Sequence, residues 1–337
     1  MGPAKITLPV LHLALVATAC GVGASKGSAT PLSTSAIDTP TPLLTPLSTF
    51  AIDTPAPLSI PGRIIFVSDR DGNYEIYAIN TDGSQPENLT KDPAIDGEPS
   101  ASPDGIRIVF TSSRDRNPEI YTMDADGSDP QRLIDVAHGP FQAGKPAWSP
   151  DGQKIAFTYD RTGDNSDIYI VNVDGSGLAQ LTSDPGADFA PTWSPDSRQI
   201  VFTHVPKGSQ IAAIYRMNAD GSDNRPLSGI PEDAVLPDWS PDGQKLVFAH
   251  RQAEKYDIYM VNLDGSDLVQ LTDNPADDLD PAWSPDGKYI VFFSERDGNA
   301  EIYLLPVGCE NPPVGCSDAQ IRLTFDPSED SWPDWLP

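Results

Sequence analysis

The sequence is poor in the residue types on which many enzymes and most nucleic-acid-binding proteins rely. It contains three cysteines, four histidines and 22 lysines and arginines, against 49 aspartates and glutamates among 337 residues. The formal net charge of −27 disfavours binding to nucleic-acid phosphates and to an anionic membrane surface. A basic protein segment or a divalent cation is the electrostatically favoured partner, and the simpler explanation is that acidic turns keep the protein soluble.

The motifs of nucleophilic catalysis and of phosphate binding are missing. The sequence has no Gly-x-Ser-x-Gly motif and no glycine-rich loop placed between a strand and a helix. Beyond residue 20 the histidines are His138, His204 and His250. We therefore predict that the protein is not an enzyme and that it uses no cofactor.

Long hydrophobic runs are also scarce, and the one near the N-terminus is too short to span a membrane. Lys5 precedes a mostly apolar stretch over residues 6–17, and residues 17–20 read Ala-Thr-Ala-Cys. Such a stretch indicates an export signal, and its last four residues are similar to a bacterial lipobox. We predict a lipoprotein signal peptide over residues 1–20 with Cys20 as the lipidated residue; an ordinary secretory signal cleaved nearby is the alternative.

The composition after the signal supports an extracytoplasmic, membrane-anchored protein. Residues 21–59 are rich in Pro, Ser and Thr, which predicts a disordered linker between the lipid and the folded part. Cys309 and Cys316 lie in one short loop near the C-terminus. In an oxidising compartment we expect them to form a disulfide; two free thiols in a reducing compartment are the alternative.

A five-residue motif, Trp-Ser-Pro-Asp-Gly or a close variant, recurs at intervals of roughly 45 residues. It occupies residues 101–105, 148–152, 193–197, 239–243 and 283–287. A fixed period of this size indicates one supersecondary unit copied along the chain, and neighbouring copies must stack to bury its apolar face. The repeat predicts a single domain over residues 60–337.

Each copy has the pattern of four short strands joined by turns. A Ser-Pro-Asp-Gly turn separates a first strand, Pro-x-Trp-Ser, from an apolar second strand that ends in Phe. The third strand contains Ile-Tyr, an Asp-Gly turn follows it in five copies, and the fourth strand ends in Leu-Thr or a near variant. The second-strand phenylalanines are Phe66, Phe110, Phe157, Phe202, Phe248 and Phe292.

The two ends of the repeat region complement each other. The N-terminal copy begins at its second strand, near Arg63, and the last copy is a lone first strand over residues 332–335. Because a closed ring leaves no open sheet edge, we predict an all-β fold, a six-bladed β-propeller of four-stranded antiparallel blades. Residues 332–336 would complete the blade that holds residues 64–89.

These motifs, in this order, resemble the WD40-like propeller repeat called PD40. That repeat is best known from TolB, the periplasmic component of the Tol system, and it also occurs in the propeller of dipeptidyl-peptidase IV-type proteins. The resemblance covers residues 60–337 and implies a propeller that binds other proteins. TolB carries an α/β domain ahead of its propeller, whereas this chain has the low-complexity residues 21–59 there.

Strand polarity divides the loops between two faces of the predicted ring. The Ser-Pro-Asp-Gly and Asp-Gly-Ser turns lie on one, the turn face, and the loops after the second and fourth strands lie on the other, the variable-loop face. Because variable loops on a rigid scaffold commonly carry binding sites, we predict a site at the channel mouth of the variable-loop face. Its recurring charged candidates are Asp96, Asp188, Asp278, Asp330, Arg70, Arg114, Arg161 and Arg296. Alternatively, these residues form arginine–carboxylate bridges that tie loops together.

Two histidines interrupt the arginine pattern in neighbouring blades. His204 and His250 each lie two places after the second-strand Phe. Channel histidines hold a metal in similar propellers of pectin-degrading lyases, and Asp233 or Asp278 could complete such a site here. Ordinary, partly buried imidazoles are the simpler explanation, and we assign no metal.

Together these patterns predict a non-enzymatic, extracytoplasmic protein-interaction scaffold in the cell envelope. We expect a monomer that binds a protein or peptide, with a basic one favoured by charge. It would contact the membrane only through its lipid anchor and bind no nucleic acid. The alternative is a metal-dependent enzyme or a carbohydrate-binding propeller that uses the channel mouth near His204 and His250.

Overall fold

The computed structural model describes Ile60 and residues 62–134, 142–160, 165–308 and 319–337. All of them belong to the compact unit Ser59–Pro337. In this part of the chain, no helix has the length and apolar character needed to cross a membrane. The predicted features that lie outside the described residues are the signal peptide with Cys20, the linker over residues 21–59, His138, Arg161, Cys309 and Cys316.

The described residues form twenty-four β-strands in six four-stranded antiparallel sheets, the blades I to VI, written here from the inner to the outer strand. Blade I is β24 (Asp330–Leu336), β1 (Arg63–Ser68), β2 (Glu75–Asn80) and β3 (Glu87–Asn88). Blade II is β4 (Asp96–Ala101), β5 (Arg107–Ser112), β6 (Glu119–Asp124) and β7 (Gln131–Arg132). Blade III is β8 (Gln142–Trp148), β9 (Lys154–Asp160), β10 (Ser166–Asn172) and β11 (Ala179–Gln180).

The second half of the ring repeats this arrangement. Blade IV is β12 (Gly186–Trp193), β13 (Gln199–Pro206), β14 (Ala213–Asn218) and β15 (Arg225–Pro226). Blade V is β16 (Ala234–Trp239), β17 (Lys245–Gln252), β18 (Lys255–Asn262) and β19 (Val269–Gln270). Blade VI is β20 (Asp278–Trp283), β21 (Tyr289–Ser294), β22 (Glu301–Pro306) and β23 (Ile321–Arg322).

The ring is closed by the C-terminal strand, as the sequence predicted. β24 pairs antiparallel with β1, with Ile64 opposite Trp335 and Arg63 opposite Leu336. The N-terminal blade therefore takes its inner strand from the far end of the chain. The predicted six-bladed propeller is confirmed.

The repeated apolar residues explain why the blades stack. The six second-strand phenylalanines are fully buried, and each blade packs them against its neighbours. Tryptophans of the inner strands connect adjacent blades: the indole N–H of Trp193 donates to the carbonyl of Ala147 at 3.1 Å, and that of Trp335 donates to the carbonyl of Ala282 at 3.1 Å. The shared property of the first-strand tryptophans is burial in the apolar clusters of the blades, and two of them add this hydrogen bond between blades.

The inner strands differ from the sequence prediction in length and regularity. They begin several residues before the Pro-x-Trp-Ser stretch, and a β-bulge interrupts each one next to that proline. Proline offers no N–H to the strand ladder. The residue before it has a positive φ in all six blades, between 45° at Lys145 and 57° at Leu236. These residues, the bulge ring, are Glu98, Lys145, Ala190, Leu236, Asp280 and Trp332.

Candidate functional site

On the variable-loop face, three of the predicted arginine–aspartate pairs are ion pairs within one blade. Arg114 binds Asp96 at 2.9 Å, and Arg296 binds Asp278 at 3.0 Å. The guanidinium of Arg70 contacts both carboxylate oxygens of Asp330, at 2.9 and 2.8 Å. The three aspartate side chains are fully buried, so each arginine neutralises a charge inside the protein.

The same arginines are held by further contacts within their blades. The Nε–H of Arg114 donates to the hydroxyl of Ser112 at 2.7 Å, and its guanidinium lies 5.0 Å from the ring centroid of Tyr121. Despite this cation, burial raises the pKa of Asp96 to about 6. The arrangement is the loop-tying bridge considered above; the assignment of these residues to a binding site stays a prediction.

Blade IV replaces the arginine with a histidine. The Nδ1 atom of His204 lies 2.6 Å from a carboxylate oxygen of Asp188, and the imidazole packs against Tyr215 with ring centroids 4.5 Å apart. In blade V, Ala234 lies opposite His250, so that histidine has no equivalent carboxylate. Burial lowers the pKa of His250. Among the residues that the structure describes, no three His, Cys, Asp or Glu side chains are placed to hold a metal ion.

The central channel contains a cavity of about 480 Å³ that reaches the turn face. The bulge ring lines its inner end, and the first-strand tryptophans line its wall. At the turn face the cavity is bordered by prolines of the Ser-Pro-Asp-Gly turns and by the C-terminal proline: Pro103, Pro150, Pro195, Pro241, Pro285 and Pro337. None of the predicted charged residues of the variable-loop face is among the lining residues.

The inner end of this cavity is crossed by an ion pair. The ammonium of Lys145 in blade III contacts the carboxylate of Asp280 in blade VI, on the opposite side of the ring. The backbone N–H of Lys145 donates to the carboxylate of Glu98 at 2.8 Å. Burial raises the pKa of Glu98, partly offset by Lys145. Lys145 thus contacts two buried carboxylates, Asp280 through its ammonium and Glu98 through its backbone N–H.

Two further carboxylates line the wall one residue after the prolines. This position, the wall ring, is half-buried in every blade: Ser100, Ala147, Thr192, Asp238, Ala282 and Asp334. Asp238 accepts hydrogen bonds from the backbone N–H of Trp283 at 2.8 Å and from the hydroxyl of Thr192 at 3.0 Å. Asp334 accepts hydrogen bonds from the backbone N–H of Ala101 at 3.1 Å and from that of Trp335 at 2.8 Å.

These two carboxylates have perturbed proton affinities. Burial raises the pKa of Asp238 to about 6. Burial, together with the nearby charge of Asp238, raises the pKa of Asp334 to about 7. Within the described part of the chain, neither side chain forms an ion pair with a lysine, arginine or histidine. Above pH 7, where both carboxyl groups are ionised, the cavity holds more negative charge than its own cation neutralises.

No residue of the bulge ring or the wall ring was among the candidate site residues predicted from the sequence. The sequence feature that could have identified them is their position, because they lie directly before and after the first-strand proline in each copy. Their identities differ from blade to blade, so a search for recurring residues passes over them. The repeat predicts which positions face the channel. The charge at each position depends on the residue of that particular blade.

Comparison with known proteins agrees with this fold. The PD40 family model, described as the TolB beta propeller domain, matches residues 44–138, 131–233 and 226–320. The structure of TolB from Acinetobacter baumannii is similar with a TM-score of 0.69 and 23% identity, over 82% of this chain and 67% of that chain. A putative TolB from Agrobacterium tumefaciens gives a TM-score of 0.62 and 20% identity, over 82% of this chain and 99% of that chain.

Enzymes share the architecture as well. An oligogalacturonate lyase from Vibrio parahaemolyticus gives a TM-score of 0.52 and 16% identity, over 73% of this chain and 86% of that chain. At such identities the likeness shows the fold alone. No curated protein matches the sequence. Because the family model covers most of the chain, the protein belongs to the PD40 family of TolB-type β-propellers.

Proposed function

We propose that this protein is a non-enzymatic, extracytoplasmic scaffold that binds a protein partner in the cell envelope. Membership of the TolB propeller family supports this proposal. So does the geometry of the channel, a concave site on a rigid ring that offers carboxylates and a mouth bordered by prolines. A partner that presents basic residues is complementary to it in charge.

The observation that carries the proposal is the imbalance of charge between the two mouths of the channel. On the variable-loop face, Asp96, Asp278 and Asp330 are each neutralised by an arginine of the same blade. In the cavity that reaches the turn face, Asp238 and Asp334 have no such cation among the described residues. We therefore favour the turn-face mouth for the partner and keep the variable-loop mouth as the competing surface.

No specific observation favours the metal-dependent or carbohydrate-binding alternative. His204 is hydrogen-bonded to Asp188 through Nδ1, and the described residues provide no group of three metal-ligating side chains. The aromatic side chains of the Trp-Ser motif are almost fully buried between blades rather than displayed as a sugar-binding platform.

Crosslinking in native cells tests the scaffold proposal. The wild-type protein should capture a reproducible protein partner, and capture should weaken in an Asp238→Asn/Asp334→Asn variant, which keeps shape and removes charge. An Arg114→Met/Asp96→Leu variant removes one loop bridge and should capture the partner normally. Loss of capture in the second variant alone would move the site to the variable-loop face; no specific partner for the wild type would reject the scaffold.

Export and anchoring are part of the same proposal. Cys20 is proposed to carry the lipid, residues 21–59 to act as the linker, and Cys309 and Cys316 to form a disulfide. A Cys20→Ser substitution should then move the protein from the membrane to the soluble fraction, with the propeller still folded by circular dichroism. Membrane retention of that variant would reject the lipid anchor without affecting the binding proposal.

A further inference from the structure

The wall of the channel cavity carries two aspartate side chains with a small residue between them. Asp238 belongs to blade V and Asp334 to blade I, and blade VI lies between these two blades. At the wall-ring position of blade VI is Ala282, whose methyl group fills little of the space. The two carboxylates therefore flank a small residue on one side of the channel.

The existing contacts of these carboxylates hold them in place without neutralising them. Asp238 accepts from the backbone of blade VI, and Asp334 accepts from the backbone of blade II. The hydrogen-bond donors to both carboxylates are neutral backbone N–H groups and a hydroxyl, so they stabilise the ionised form without supplying a positive charge. Both side chains remain half-buried, so part of each faces the cavity.

The chain itself shows which chemical group the channel accommodates. At the bulge ring, two residues before the wall-ring position, the primary ammonium of Lys145 lies in the lumen on an unbranched alkyl stem and contacts Asp280. An alkylammonium is therefore compatible with the width and the polarity of the channel at that level. The wall ring offers a second pair of carboxylates without a cation of its own.

The size and the walls of the cavity suit a long, narrow cation. Its volume of about 480 Å³ lies within the range of roughly 300–1,000 Å³ that is common for small-molecule sites. The prolines at the mouth and the half-buried Trp332 give it apolar walls. A methylene stem can pack against such walls while its charged end reaches the carboxylates.

We propose that the cavity binds the ammonium or guanidinium end of an unbranched basic chain between Asp238 and Asp334. The source is a lysine or arginine side chain of the partner or a free linear amine. This inference deepens the proposed function and rests on it for the biological source of the ligand, although the binding itself is testable with isolated protein.

The test uses three small probes on the purified protein. They are N-acetyl-lysine methylamide, its uncharged analogue N-acetyl-norleucine methylamide, and 1,5-diaminopentane. Binding is followed by the NMR shift of the indole N–H of Trp332, assigned with a Trp332→Phe variant. We expect the lysine probe to bind at low ionic strength and at pH 8, with an affinity at least about tenfold above that of the norleucine probe.

Three variants locate the site. Asp238→Asn and Asp334→Asn should each weaken binding of the lysine probe by about tenfold, because each removes one charged partner. Asp129→Asn changes an exposed carboxylate in the turn after β6 and should leave the affinity unchanged. Binding of diaminopentane but not of the capped lysine would assign the site to free amines.

The outcomes separate this inference from the scaffold proposal. Equal binding of the lysine and norleucine probes, or unchanged affinity in both aspartate variants, would overturn the cation site even if partner capture succeeds. Probe binding that depends on both aspartates, together with no partner captured from cells, would retain the cation site and reject the scaffold.

Discussion

Lys145 and Asp280 belong to opposite blades, and their side chains meet inside the channel. The contact joins β8 of blade III to β20 of blade VI, and these two strands belong to different sheets that share no hydrogen bonds between strands. Both residues precede a proline and have a positive φ, which a non-glycine residue rarely adopts. The bulges therefore direct the two side chains into the channel, where they brace the ring across its diameter.

Removing the lysine should destabilise the propeller because it leaves Asp280 and Glu98 without their cation. We expect Lys145→Met to lower the free energy of unfolding by about 2 kcal/mol, less than for a fully buried pair because the lysine is partly exposed. Urea denaturation provides the measurement. Adding Asp280→Leu to this variant should recover part of the loss.

A matched control for this variant is Lys154→Met. Lys154 is also partly buried, but its ammonium contacts the neutral side chain of Asn172 at 3.4 Å. We expect this change to cost less than about 0.5 kcal/mol, as for most surface positions. Equal effects of the two substitutions would mean that the ion pair across the channel contributes nothing to stability.

The arginine–aspartate bridges of the variable-loop face should prove structural. Arg114→Ala leaves Asp96 fully buried without a cation, so we expect a loss of about 3 kcal/mol in the free energy of unfolding. Arg198→Ala, at an exposed arginine of the turn face, is the comparison and should change stability little. Thermal melts at pH 8 measure both, and similar melting temperatures for the two variants would contradict the structural role.

The two cavity aspartates make stability depend on pH. Burial raises the pKa of Asp334 to about 7 in the folded protein, whereas its ordinary value is 3.8. Between these values the folded state binds more protons than the unfolded state, so this residue makes stability fall as the pH rises from 4 to 7. Asp334→Asn should therefore stabilise the protein at pH 8, on the order of 2 kcal/mol, and should have little effect at pH 4.

Urea denaturation of this variant and of the wild type at pH 4 and pH 8 gives the measurement. Asp196→Asn, at an exposed turn carboxylate whose pKa is lowered by the hydroxyl of Ser194, should show no such gain at pH 8. A pH-independent effect of Asp334→Asn would show that Asp334 is ionised normally.

The repeat made the fold predictable. Phe66, Phe110 and their equivalents recur because every blade must bury the same surface, and the displaced first strand at residues 332–335 required closure by β24. The fourth strands were predicted from Leu-Thr, yet each is only two residues long, and Leu89 lies just beyond β3. A short outer strand limits the length of exposed sheet edge. The pattern of apolar residues does not predict the residue at which the hydrogen bonding between strands ends.

The channel could not be predicted from the same pattern. The six bulge-ring residues range from Glu98 and Lys145 to Ala190 and Trp332, so they share a backbone conformation and no side-chain property. Their contacts run across the ring between residues more than a hundred positions apart. Residues that recur in every copy identify the core of each blade. A site on the channel axis is formed by different side chains from several blades, and the repeat pattern does not specify which of them come into contact.

Ring closure gives the last prediction, because blade I loses its inner strand when residues 332–337 are deleted. The deletion exposes the edge of β1 and removes Trp335 and Leu336, which are both buried, along with the indole hydrogen bond to Ala282. We expect the melting temperature to fall by more than about 10 °C, since burying two large side chains and one strand ladder contributes several kcal/mol. Deleting only the exposed Pro337 should have little effect.

A circularly permuted protein tests whether the deletion acts by removing the strand β24 or by altering the C-terminus. Residues 327–337 are moved ahead of residue 62 through a short Gly-Ser connection on the turn face, where Leu336 and Gly62 lie side by side. This chain has the same blade I strands in a new order and should melt near the wild-type temperature. A deletion variant that melts like the wild type, or a permuted chain as unstable as the deletion, would show that pairing of β24 with β1 does not hold the ring together.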